Sequence, residues 1–167
     1  MDSSDGQLMP EALRALADVP LELDGAGLRF LPGFLPVEMT VLWIRDIVAP
    51  GRATPNDFLV FGETCVDEID YTAFWLVRPG AAIEDQPVVS IGYGAPQLLA
   101  ASLADFLWFL ADAFNPKGID GRLEDSANYE LIRIAGRFAP DNRQTCTSAE
   151  SRAAEEFPNF ADLFVRN

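Results

Sequence analysis

The sequence predicts a single α+β domain, a mainly antiparallel sheet with helices packed on it. Three observations predict it. Apolar, β-rich runs at 57–63, 69–77 and 87–94 follow one another through short loops, and parallel pairing would need crossover segments between them. An apolar stripe at helical spacing, Leu103, Phe106, Leu107, Leu110 and Phe114, comes next and would bury one face of such a sheet. The chain has 167 residues, 49% apolar, with 12 Phe and 3 Trp. That is enough apolar material for one buried core and argues against disorder.

Taken in order, residues 1–9 read as a polar leader. Pro10 followed by EALRALADV reads as a short helix with Leu13, Leu16 and Ala17 on one side, stopped by Pro20. Glycines and prolines break LELDGAGLRFLPGFLP (21–36) into two short strands or turns. VEMTVLWIRDIV (37–48) is either a strand or a short buried helix, because its apolar run is too continuous for periodicity to decide. DFLVFGE (57–63) and IDYTAFWLV (69–77) are strands around a polar turn, TCVDE, and PVVSIGYG (87–94) is a third. Ser102 caps the helix that follows, with Asp105 in capping-box position, and Asn115-Pro116 ends it. ANYELIRIAGRF (127–138) reads as a helix with Tyr129, Ile132 and Ala135 aligned. Thr147 with Glu150 offers a capping box for AESRAAEEF, Pro158 interrupts that helix, and NFADLF is a final docking turn. Trp43, Trp75 and Trp108 are read as core residues. In the middle strand, Trp75 and its neighbours must divide between the two faces of the sheet.

Composition removes several chemistries. The chain has no histidine, the usual general base near neutral pH and a common metal ligand. Ser-His-Asp and Cys-His nucleophile systems are therefore impossible within it, as are histidine-containing zinc and iron sites. No catalytic residue, metal ligand set or cofactor motif is assigned. Gly92-Tyr93-Gly94 lacks the third glycine of a dinucleotide fingerprint, and no GxxxxGK[ST] loop occurs. Cys65 and Cys146 form no CxxC motif and read as two reduced thiols. No apolar run reaches 18 residues, so no transmembrane helix is expected. The acidic N-terminus lacks the basic start and apolar core of a signal peptide, which leads to a cytoplasmic assignment. No heptad or symmetric patch specifies an oligomer.

Charge carries the strongest functional signal. There are 26 acidic against 12 basic side chains, a net charge of −14. Phosphate-backbone binding depends on Lys and Arg, so nucleic acid is not an expected partner, and neither is a membrane. A basic protein is. The densest acidic stretch holds Asp57, Glu63, Asp67, Glu68, Asp70, Glu84 and Asp85 against Arg78 alone. Of these, Glu63, Asp67, Glu68, Asp70, Glu84 and Asp85 are the candidate partner-binding residues, expected to converge on loops at one sheet edge. A solvated face and a carboxylate-based metal or catalytic site are the competing readings of the same residues.

The middle of the chain resembles a known family. A strand ending in Phe-Gly (DFLVFG, 57–62) precedes an acidic turn (ETCVDEID, 63–70). An aromatic strand (YTAFWLV, 71–77), a Pro-Val-Val strand (87–89) and LLAASLADFLWFLADAF (98–114) follow. This order, and above all the small-Ser-Leu-x-x-Phe-Leu-x-x-Leu pattern of Ala101 to Leu110, resembles the SUKH superfamily, also called the SMI1/KNR4 family. The resemblance covers about residues 57–114 of a chain read as one domain over 1–167, with 115–167 an unassigned helical region. It implies an α+β fold and a non-catalytic protein-binding role, many bacterial members resembling immunity proteins that neutralise a cognate toxin by binding it. A basic toxin domain would suit an acidic immunity protein. The alternative is an acidic secretion chaperone or adaptor, which would hold an effector on exposed apolar patches.

Overall fold

A computed structural model describes residues 7–19, 21–23, 26–65, 69–92, 94–114 and 126–165. Most of the expected leader (1–6), the centre of the acidic turn (66–68, with Asp67 and Glu68) and the start of the expected helical region (115–125) lie outside them.

Six strands form one antiparallel sheet whose spatial order is the chain order. They are β1 (Leu21–Leu23), β2 (Ala26–Phe30), β3 (Phe58–Cys65), β4 (Ile69–Trp75), β5 (Val88–Gly92) and β6 (Gln97–Ala100). The three expected strands are β3, β4 and β5, and β1 and β2 supply the two short strands of the 21–36 stretch. No strand is expected at 97–100. β6 is four residues long and runs directly into a helix cap, too short for a period of two to register, yet its partner β5 holds it through Val88↔Ala100 and Val89↔Leu98.

The central strands are buried on both faces. Residues 72–75 of β4 are all inaccessible, because side chains alternate between two covered sides. Phe74 packs into the core on the first face with Leu59, Phe61 and Val88. Trp75 packs on the second with Phe58, Val60, Ala73, Val89 and Ile91. The molecule therefore has three layers.

Helices α1 (Glu11–Leu16), α3 (Leu103–Ala113) and α4 (Ser126–Phe138) cover the first face. Pro10 precedes α1, where a missing N–H costs nothing, and Ala12, Leu13 and Leu16 are buried. In α3 the Ser102 hydroxyl accepts the Asp105 N–H at 3.2 Å, the expected cap, and Leu103, Phe106, Leu107, Trp108 and Leu110 are buried. The expected face of α4 holds at Ala135 and at half-buried Ile132 but not at Tyr129. Tyr129 is 68% exposed, and the buried set is Leu131, Ile134 and Ala135, which continue into half-buried Phe138 as the longer apolar stripe.

The second face is covered by α2 (Val37–Ile47) and by the C-terminal segment. The 37–48 run is a helix, but a surface one. It buries Thr40 and Ile44 and leaves Met39 66% and Leu42 73% exposed. That apolar exposed flank is why its period is obscured. The end of the chain forms the expected docking turn, a 3-10 turn at Phe160–Leu163. Phe157 and Phe160 rings lie 5.5 Å from Trp75, and Phe164 bridges to Val48.

Helix α5 (Cys146–Glu156) packs against β6 and α3. Its cap is Thr145, whose hydroxyl accepts the Ser148 N–H, and not the expected Thr147. The Asp112 carboxylate of α3 accepts the Cys146 N–H at 2.8 Å. It thereby satisfies one of the free amides of the first turn and starts the helix two residues early.

Candidate functional site

Consecutive turns of an antiparallel meander lie at alternate ends of the sheet, and this divides the candidate acids. Glu63 and Asp70 sit where β3 hands over to β4. Glu84 and Asp85 lie in a 3-10 turn (Ile83–Asp85) beyond the other end of β4, about 20 Å away for a seven-residue strand. The expectation that these charges converge on one sheet edge is therefore corrected. Asp67 and Glu68 lie outside the described residues.

The acids at the first end are engaged within the chain. Glu63 accepts a hydrogen bond from Arg29, its cross-strand partner on β2. Asp70 Oδ1 accepts the Gly94 N–H at 3.1 Å. A Cβ on Gly92 would lie 2.3 Å from Asp70 Oδ1 and 2.6 Å from the Ile69 carbonyl. The glycines of the Gly-x-Gly sequence thus serve close packing of a carboxylate. At the opposite end of β3, Asp57 is likewise taken up by Thr54, through its N–H at 2.7 Å and its hydroxyl at 3.1 Å.

The second end is built differently. Buried Gln86 ties the loop across its base, donating to the Arg78 carbonyl at 2.7 Å and accepting the Arg78 N–H at 2.9 Å. The Arg78 guanidinium donates to the Ala101 carbonyl at 3.0 Å, to the Asp85 carbonyl and to Glu156, and lies over the Phe157 ring. This frame fixes the backbone of the turn and leaves the Glu84 and Asp85 side chains exposed. Among the described residues, neither carboxylate has an ion-pair partner.

Both line a cleft of about 470 Å³ between α1, the 83–85 turn, the start of α3 and the end of α4. Its apolar lining includes Leu103 and Leu107, which are buried, and half-buried Phe138. Glu11 of α1 stands on the opposite rim and pairs with Arg137 at 2.8 Å. The sequence alone does not mark Glu11, Leu107 or Phe138 as neighbours of Glu84, since they come from four separate elements. Nearby Asp105 belongs to the scaffold. It is 2% exposed and accepts from Asn142 at 3.0 Å and Gln144 at 2.7 Å, which pins the α4–α5 connection to α3.

Among the described residues, no group of three or more Cys, Asp or Glu side chains is placed to hold a metal ion, and no helix is long and apolar enough to cross a membrane. Cys146 is a free, half-buried thiol. Burial pushes its pKa up, and the adjacent Asp112 carboxylate adds to the rise, the reverse of what an activated nucleophile needs. No protein-family model, curated protein or solved structure matches the chain.

Proposed function

We propose that this chain is a non-catalytic cytoplasmic binding protein that captures a basic protein domain, acting as the immunity partner of a toxin. The observation that carries this reading is the pair Glu84 and Asp85. They stand exposed, without a counter-ion among the described residues, beside a cleft in a chain of net charge −14. Unpaired carboxylates on a rigid loop steer a basic partner during encounter. The resemblance of residues 57–114 to the SUKH superfamily adds the immunity role. The docking face of this proposal is the Glu84–Asp85 end, with Glu63 and Asp70 contributing field more than contact.

The test starts from the adjacent reading frames, where a basic toxin-type domain is expected, and uses that domain. Co-expression is expected to protect growth, and association of the purified proteins is expected to slow as salt rises. The double variant Glu84→Lys, Asp85→Lys should lose most of the association rate. Glu150→Lys, Glu155→Lys, the same charge change on exposed positions of α5, should lose much less. Equal losses would make net charge, and not this face, the determinant. Absence of binding at low salt would overturn the proposal.

One observation favours the chaperone or adaptor reading: the exposed Met39 and Leu42 of α2. It predicts that Met39→Ser, Leu42→Ser abolishes effector holding while leaving capture of a basic domain unchanged.

A further inference from the structure

We infer that the cleft is a socket for one long basic side chain of the partner, arginine or lysine. Its methylenes would lie on Leu103, Leu107 and Phe138, and its charged head would reach Glu84 and Asp85. The inference rests on the proposed capture of a basic protein and names the contact that anchors it.

Polarity and charge agree on this occupant. The cleft, about 470 Å³, has ample room for one long side chain. A lining that combines Leu103, Leu107 and Phe138 with two carboxylates matches the two parts of an arginine or lysine side chain, which buries its stem and keeps its head polar. A purely apolar side chain would desolvate the rim carboxylates without return.

The N-terminus of α3 opens onto the cleft and presents about half a positive charge, which by itself would favour an anion. Two carboxylates without counter-ions among the described residues outweigh it. Its first-turn amides are also partly used, since Ser102 accepts the Asp105 N–H.

The chain already seats one guanidinium at this rim. Arg137 reaches Glu11 at 2.8 Å, with both side chains about three-fifths exposed. A pair so exposed contributes little to stability and is readily exchanged for an incoming cation.

The experiment is an amide-resolved NMR titration of the full chain with three short peptides that differ at one position: arginine, lysine and citrulline. Citrulline keeps the shape of arginine without its charge. The arginine and lysine peptides are expected to shift the amides of Ala12, Glu84, Leu103 and Leu107, and the citrulline peptide to leave them in place. Glu84→Gln with Asp85→Asn should weaken arginine-peptide binding about tenfold, the effect of two exposed pairs. Ala104→Trp, which fills the cleft from α3, should abolish it with the melting temperature unchanged. If that variant does not fold, the carboxamide pair decides alone.

Shifts elsewhere on the surface, or equal shifts with arginine and citrulline, would overturn the socket. Salt-dependent binding of the basic toxin-type domain would then still stand by itself. Conversely, failure of that domain to bind, with the cleft still taking arginine, would overturn the immunity reading and keep the socket.

Discussion

Phe106 shows how much one side chain carries. It is 1% exposed, with the rings of Phe30, Phe61 and Phe109 about it at centroid distances of 6.4, 5.9 and 5.9 Å. Phe106→Ala is expected to cost about 3–5 kcal/mol, because the rings around it cannot collapse fully into the space. Chemical denaturation should give a lower midpoint at an unchanged slope. Cys146 gives a prediction in pH. Its folded-state pKa is raised by burial and by Asp112, so the native protein holds the thiol proton more tightly than the unfolded chain does. The stability this contributes is complete below the unfolded thiol pKa, about 8.5, and is lost as pH rises through the folded value. In a Cys65→Ser background, the pH midpoint of Cys146 alkylation should lie above that of a free thiol, about 8.5. A midpoint at or below that pH would contradict the assigned cause.

At the scale of elements, the start of α5 offers a clean discrimination. Thr145→Ala should cost about 1 kcal/mol through loss of the cap. Thr147→Ala, at an exposed position inside the first turn, should fall within about 0.5 kcal/mol of the parent. Thermal melts of the two variants would decide between the cap seen here and the one the sequence suggests. The reason for the shift is Asp112, 34 residues upstream, and no local pattern reports a partner at that distance. The same distinction runs through the fold. The hairpin of Phe58–Cys65 and Ile69–Trp75 and the stripe of α3 are legible because their signals are local: alternation, turn residues, a cap and a 3.6-residue period. What stayed hidden depends on which elements meet. The stripe of α4 needed its α3 partner to be chosen correctly, and α2 conceals its period behind an apolar flank. The cleft joins Glu11, Glu84, Leu107 and Phe138 from parts of the chain that only the folded sheet brings together. Of the candidate acids, their chemistry was readable from composition, but their division between two ends required the strand order.

For the whole molecule, the ion pairs of the described residues, such as Arg29–Glu63, Arg78–Glu156 and Arg137–Glu11, leave many acids over in a chain of net charge −14. Self-repulsion of this kind opposes compaction and is screened by salt. The isolated protein should therefore gain stability as sodium chloride rises from low to physiological concentration, while its binding to a basic domain weakens. Melting temperature and association rate measured across one salt series should move in opposite directions. The strand order has a further consequence, in time instead of space. The sheet is laid down in the order of synthesis, hairpin after hairpin, but the residues that roof Trp75, Phe157 and Phe160, are made only after all six strands. A nascent chain passes through a stage with every strand available and one side of the sheet covered by α2 alone, when it is most exposed to misassociation. A chain ended after Glu156 should preserve that stage, with a red-shifted tryptophan emission and uptake of an apolar dye. Phe157 and Phe160 then act as a fastening that closes over Trp75 only after every strand has been made.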